Sequence, residues 1–161
     1  MRVAVLADTH LRRGIDGLSA RARQLIEAAD VVLHAGDVTS RSTLDSLAEV
    51  APLHAVLGNN DVELVGLLPV ARVVELADVR VAMIHDSGPR AGRAARLRRQ
   101  FPTADVVVFG HSHIPWNEEG LDGQLLFNPG SPTQRRAQPV HTVGELELVD
   151  GTVAASRIVT V

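Results

Sequence analysis

The sequence contains no cysteine, no tyrosine and no lysine, and only four aromatic residues, Phe101, Phe109, Trp116 and Phe127. Without cysteine there is no disulfide framework, no thiolate zinc knuckle and no cysteine nucleophile, so a bound metal must take nitrogen and oxygen ligands. All 16 basic residues are arginine, set against 19 acidic ones, for a net charge of −3 over 161 residues. Few stacking rings and no excess of positive charge argue against a dedicated DNA- or RNA-binding protein. Long apolar runs are lacking too. No stretch approaches the roughly 20 residues of a membrane span, and the run Val3 to Ala7 is too short for a signal peptide. The expected compartment is the cytoplasm. No repeat, low-complexity block or Ser/Gly linker divides the chain, so residues 1–161 are expected to form one domain.

What is present is a recurring short apolar run ending in a polar residue. Val3 to Ala7 precedes Asp8, Val31 to Leu33 precedes His34 and Asp37, and Leu53 to Leu57 precedes Asn59. Val79 to Ile84 precedes His85, and Val106 to Phe109 precedes His111. Such runs, rich in Val and apolar on both faces, predict buried strands covered by helices. Helical patterns fall between them at about Asp16 to Ala29, after a capping Ser40, and at about Arg90 to Gln100 before Pro102. The alternation predicts an α/β fold with a largely parallel sheet. In the C-terminal third, Leu125 to Phe127, Thr142 to Val149 and Thr152 to Val161 read as strands, the last two joined by an Asp150-Gly151 turn. A second, more antiparallel sheet packed on the first is expected there, giving a sandwich with helices outside.

Ligands bind in open α/β sheets beyond the carboxyl ends of the strands. Five strand candidates deliver Asp8 and His10, Asp37, Asn59, His85, and His111 and His113 to that end. Three oxygen-bearing side chains and four imidazoles suit Mn, Fe, Co, Ni or Zn better than Ca. Asp8-Thr9-His10 and His111-Ser112-His113 are i, i+2 pairs, whose side chains share one side of an extended chain. Gly36, Gly58 and Gly110 stand immediately before Asp37, Asn59 and His111, where a missing Cβ allows close backbone approach. Seven ligands exceed the needs of one tetrahedral ion and fit two ions sharing a carboxylate.

The series Asp8-Thr9-His10, Gly36-Asp37, Gly58-Asn59-Asn60-Asp61, His85 and Gly110-His111-Ser112-His113 resembles the ordered motifs of the calcineurin-like metallophosphoesterases. Asn128-Pro129-Gly130-Ser131 and the short length resemble the small bacterial and archaeal phosphodiesterase branch. The resemblance implies a four-layer αββα sandwich of two mixed sheets flanked by helices. It implies two divalent ions, Mn or else Fe, Ni, Co or Zn, one held by Asp8, His10, Asp37 and His113. The other would be held by Asp37, Asn59, His85 and His111, with Asp37 as the bridge. The implied activity is hydrolysis of a small phosphate ester by a metal-bridging hydroxide, with Asn60 and Asp61 as catalytic residues beside the ions.

Two positions depart from the wider family. Asn60 stands where many members have His, and it can donate a hydrogen bond but not a proton, which favours phosphodiesters over monoesters. Asp86-Ser87 follows His85 where Gly-His is common, placing a carboxylate near the phosphate. Two alternatives stay open: a non-catalytic binding or scaffold module on the same fold, and a dinuclear hydrolase of non-phosphate bonds. Outside the ligand set, His34, His54 and His141 read as structural, and Arg90, Arg93, Arg96, Arg98 and Arg99 as a solvated helix face. The expected partner is a small phosphate ester, with neither nucleic acid nor membrane, in a monomer or homo-oligomer.

Overall fold

The structure, a computed structural model, describes residues 1–161 and arranges ten strands in two five-stranded sheets. In chain order the strands are β1 (Arg2–Leu6), β2 (Val31–His34), β3 (Leu53–Ala55), β4 (Ala71–Leu76) and β5 (Val79–Ile84). They continue with β6 (Val106–Val108), β7 (Trp116–Glu119), β8 (Leu125–Asn128), β9 (Thr142–Val149) and β10 (Thr152–Thr160). The helices are α1 (Ala20–Glu27), α2 (Arg41–Val50) and α3 (Arg93–Gln100).

The first sheet has the order β10-β9-β1-β2-β3, and the second β4-β5-β6-β8-β7. Strands β1, β2 and β3 pair in parallel, as do β5, β6 and β8. Antiparallel strands close the remaining edges. One expectation is thereby corrected. The C-terminal hairpin does not build the second sheet but extends the first, with Val3 opposite Leu146. The second sheet instead forms around β5 and β6, whose apolar runs had suggested a single parallel sheet.

Alternation along β1 explains why its run is apolar throughout. Val3 and Val5 join a 16-residue buried cluster with Val81, Met83, Val106 and Phe127 of the second sheet. Ala4 and Leu6 face the opposite way, onto Ala22, Leu25 and Ile26 of α1 and Leu47 of α2. On the far side, Ala82 and Val107 meet Leu97 of α3. The result is four layers, helix, sheet, sheet, helix. Each fully buried Val or Leu in them contributes about 1.5–3 kcal/mol of transfer free energy.

Two helices, α1 and α3, are shorter than their periodic patterns. Ser19 caps α1 by accepting the Ala22 N–H at 3.0 Å, so the helix begins four residues later than expected. Ser40 caps α2 as expected, accepting the Thr43 N–H at 3.1 Å. Gly92, with φ of 69°, delays the start of α3 to Arg93. The arginines of α3 also differ from a solvated face. Arg96 donates to the Ser87 carbonyl at 2.9 and 2.7 Å, Arg98 pairs with Asp122, and the Arg93 guanidinium lies 4.9 Å from the ring centres of Phe109 and Trp116. These three fasten the helix to its neighbours, because stems and flat guanidinium groups pack well on apolar and carbonyl surfaces. No helix is long and apolar enough to cross a membrane.

Candidate metal centre

All seven expected ligands lie in the loops leaving the carboxyl ends of strands. Asp8 and His10 follow β1, Asp37 follows β2, Asn59 follows β3, His85 follows β5, and His111 and His113 follow β6. Because both sheets present these ends to the same edge of the sandwich, residues more than 100 positions apart become neighbours. Five of the seven, Asp8, His10, Asp37, His111 and His113, have φ between 46° and 66°. Left-handed backbone at non-glycine residues costs on the order of 1 kcal/mol apiece and concentrates at functional sites. Here it turns consecutive side chains inward from a strand end.

The centre itself is tight. Asp37 Oδ2 lies 3.5 Å from both His10 Nε2 and His85 Nε2. Asp8 Oδ1 lies 3.4 Å from His113 Nε2 and 4.0 Å from His10 Nε2. Asn59 Oδ1 is 3.0 Å from His85 Nε2 and 2.9 Å from His111 Nδ1. Donor atoms of Asp8, His10 and His113 lie within 4.8 Å of one another, and so do those of Asp8, Asp37 and His85. Asp8 is common to both groups, and Asp37 belongs to the second, with its Oδ2 also 3.5 Å from His10 Nε2.

Backbone carbonyls set the imidazoles. The Ala35 carbonyl is 2.7 Å from His85 Nδ1, and the Gln134 carbonyl accepts from His113 Nδ1. A carbonyl can only accept, so each Nδ1 carries the proton and each Nε2 presents a lone pair to the centre in the neutral ring. The sequence holds no signal for these partners, since they are main-chain atoms. Glycines make the close approach possible. A Cβ on Gly58 would stand 2.2 Å from Asp37 Oδ1, and one on Gly36, whose φ is +88°, would stand 2.6 Å from His85 Nδ1.

Asn60 and Asp61 occupy different situations. Asn60 donates its backbone N–H to Asp37 Oδ1 at 2.8 Å and its side-chain amide to Asp37 Oδ2 at 2.6 Å, on the face of the centre. Asp61 is buried and turned away. Its Oδ2 accepts the N–H groups of Asp37 at 2.9 Å and Gly58 at 2.7 Å, and its Oδ1 accepts that of Thr39 at 2.6 Å. Both oxygens are thus engaged by the loops that carry the ligands.

Other braces surround the cluster. Ser131 donates its hydroxyl to the Asp8 carbonyl at 2.7 Å, and Asn128 donates to the Gly110 carbonyl at 2.9 Å. The Asn128-Pro129-Gly130-Ser131 segment therefore ties the loops after β1 and β6 together. His34, fully buried, places Nε2 3.0 Å from Thr9 Oγ1, and burial pushes its pKa down to about 3, so the ring is neutral. His54, on β3, and His141, just ahead of β9, stand outside both groups of ligand atoms.

Electrostatics match a cation. Burial pushes the Asp8 carboxyl up to about 7, with neighbouring Asp37 adding to the rise and His85 opposing it. Burial opposes the Asp37 charge as well, but the neighbouring His85 imidazole and the hydrogen bonds from Asn60 outweigh it and hold that carboxyl well below the usual range. Burial keeps His10 and His113 below the ordinary imidazole value. Burial acts in the same direction on His85, yet the Asp37 carboxylate 3.5 Å away overcomes it and raises that pKa. Asp8 Oδ1 and Oδ2, His10 Nε2 and His113 Nε2 are buried with no hydrogen-bond partner. Four such orphaned atoms converging on one point are costly unless something satisfies them, and a divalent cation fits the donor set.

Comparison with known proteins agrees with this geometry. Residues 1–151 match the model of the calcineurin-like phosphoesterase superfamily domain. A probable metallophosphoesterase of Methanocaldococcus jannaschii is 35% identical over 153 residues, covering 93% of this chain and 77% of the relative. One from Methanothermobacter thermautotrophicus is 34% identical over 138 residues, covering 84% and 80%. The crystal structure of Vps29 from Entamoeba histolytica complexed with zinc superposes with a TM-score of 0.79 at 22% identity, covering 100% of this chain and 98% of that one. The chain belongs to the calcineurin-like phosphoesterase superfamily.

Proposed function

We propose that this protein is a dinuclear metal-dependent phosphodiesterase acting on small phosphate esters. The observation that carries the reading is the convergence of orphaned Asp8, His10 and His113 atoms beside an Asp37 oxygen equidistant from His10 and His85. Asp8, His10, Asp37 and His113 would hold one ion, and Asp37, Asn59, His85 and His111 would hold the other, in the Mn, Fe, Co, Ni and Zn class. Bound divalent ions supply positive charge for the phosphoryl oxygens and lower the pKa of the attacking water.

The chain's own residues set what else happens. Ala35 and Gln134 keep the His85 and His113 lone pairs aimed inward, so no reorganisation is needed when the substrate arrives. Asn60 presents an amide N–H beside Asp37, in position to donate to a phosphoryl oxygen. It has no titrating proton for an alkoxide leaving group, so diesters with good leaving groups are favoured over alkyl monoesters. Asp61 acts as a positioning residue through the Asp37 and Gly58 backbone rather than as a catalytic one.

The test is metal analysis of the purified protein, followed by hydrolysis of bis(para-nitrophenyl) phosphate and para-nitrophenyl phosphate with Mn, Ni, Co, Zn or Mg and a chelation control. Metal-dependent cleavage with the diester preferred is expected. Bound metal with no cleavage of either ester would refute the reading and favour a scaffold or a different hydrolase.

A further inference from the structure

Two cavities border the ligand cluster, one at His10 and the other at Asn59, His85 and His111, and their chemistry differs. One, of about 510 Å³, is lined by His10, Arg12, Thr39, Ser40, Asn60 and Glu63 together with Gln134, with no apolar residue among them. The other, of about 300 Å³, is lined by the candidate ligands Asn59, His85 and His111 together with the apolar Leu57, Val70 and Ile84. The only charged carboxylate lining this second cavity is Asp86, which is exposed.

Val70 is 67% exposed although it is a large apolar residue, so packing within the chain does not account for it. Its placement is nevertheless fixed. The Leu57 N–H donates to the Pro69 carbonyl at 2.8 Å, strapping the segment before β4 across the end of β3 beside Asn59. Five of the ten exposed large apolar residues, Val62, Val65, Leu67, Val70 and Val73, fall in this one stretch. An apolar wall next to metal ligands has a use only if a ligand brings apolar surface to it.

We propose that the site selects phosphodiesters in which one ester group is uncharged and apolar, such as an aryl or short alkyl group, seated against Leu57, Val70 and Ile84. The polar chamber beyond His10 and Asn60 takes the second, hydroxylated or otherwise polar group. Asp86 excludes an anionic substituent from the apolar side by like-charge repulsion. This assignment rests on the phosphoesterase reading and names the substrate class for that same site.

The experiment is calorimetric titration of the metal-loaded protein with phosphonates, which bind without turnover. Phenylphosphonate should bind at least about fivefold more tightly than methylphosphonate, because the ring leaves water. A para-carboxyphenylphosphonate should lose that advantage, and Asp86→Asn should restore it. Val70→Asn, at an exposed position, should fold normally by circular dichroism, keep the methylphosphonate affinity and reduce the phenyl advantage to less than about twofold. Equal affinities for phenyl and methyl phosphonates overturn the inference while leaving the phosphoesterase reading standing. Binding of neither phosphonate by protein that does hold metal contradicts both. A change of oligomeric state in Val70→Asn with unchanged phosphonate affinities also overturns it and assigns the apolar stretch to protein contact.

Discussion

The Asp61 carboxylate accepts the Thr39 backbone N–H at 2.6 Å, and this contact holds a β-branched residue at φ of 75°. With the further bonds from Asp37 and Gly58, one buried side chain pins the loop after β2 to the loop after β3. Asp61→Ala leaves two buried N–H groups and a partly buried one without an acceptor. The expected loss is about 3 kcal/mol in urea unfolding, together with weakened metal binding. Asp61→Asn, which keeps one acceptor oxygen, should recover part of both.

Gly58 has no special φ, so its requirement is one of space alone. A methyl group there would stand 2.2 Å from Asp37 N and Asp37 Oδ1. Gly58→Ala should therefore displace Asp37 and lower metal affinity by about tenfold or more, the scale of a misplaced ligand or its support. Calorimetric titration with Mn checks it. An unchanged affinity would show that the Asp37 position is not decisive.

The buried Asp8 carboxyl makes the metal-free protein sensitive to pH. Its folded pKa, about 7, lies above its ordinary value, so ionising it opposes folding. The destabilisation is absent below the ordinary carboxylate pKa, grows as pH rises toward 7 and is complete above it. His10 and His113 shift in the opposite sense, so the clean comparison is between wild type and Asp8→Asn. The gain from Asp8→Asn in metal-free protein should be larger at pH 8 than at pH 5, by on the order of 2 kcal/mol. Thermal melts at the two pH values measure it, and in wild type added metal should remove the penalty.

His113 is aimed by the Gln134 carbonyl, which no side-chain change at position 134 removes. Gln134→Ala is therefore expected to leave metal affinity within about twofold of wild type. Gln134→Pro, in a loop whose Gln134 N–H donates to Ser131 Oγ at 2.9 Å, should weaken it by breaking that anchor. Metal titration of the two variants separates a side-chain role from a main-chain one.

The candidate ligands, and their gathering at one edge, were legible because metal chemistry needs particular side chains, and each of them follows an apolar run that could be read as a strand. Ser40 and the Asp150-Gly151 turn were equally plain, the latter adopting φ of 47° and 74°. Strands β4 and β7 were not. β4 is an edge strand with exposed Arg72, Val73 and Glu75, and it reaches β5 through Ala77-Asp78, which takes the same left-handed pair of turn conformations without glycine or asparagine. β7, Trp-Asn-Glu-Glu, is polar and lies at the opposite edge. The placement of the C-terminal hairpin beside β1 depends on pairing between residues about 140 positions apart, for which local pattern carries no information. From sequence Asp61 reads as a catalytic group, as a partner orienting Asn59 or as the end of the turn, and the fold shows both its oxygens engaged by backbone N–H groups.

In the proposed site Asp37 stands between two ions. Metal content after equilibration with Mn and removal of excess, measured by mass spectrometry on wild type and Asp37→Asn, tests it most directly. Two ions per chain in the wild type and loss of both sites' tight occupancy in Asp37→Asn are the expected result. A single ion in the wild type, or full occupancy retained by Asp37→Asn, would contradict the account.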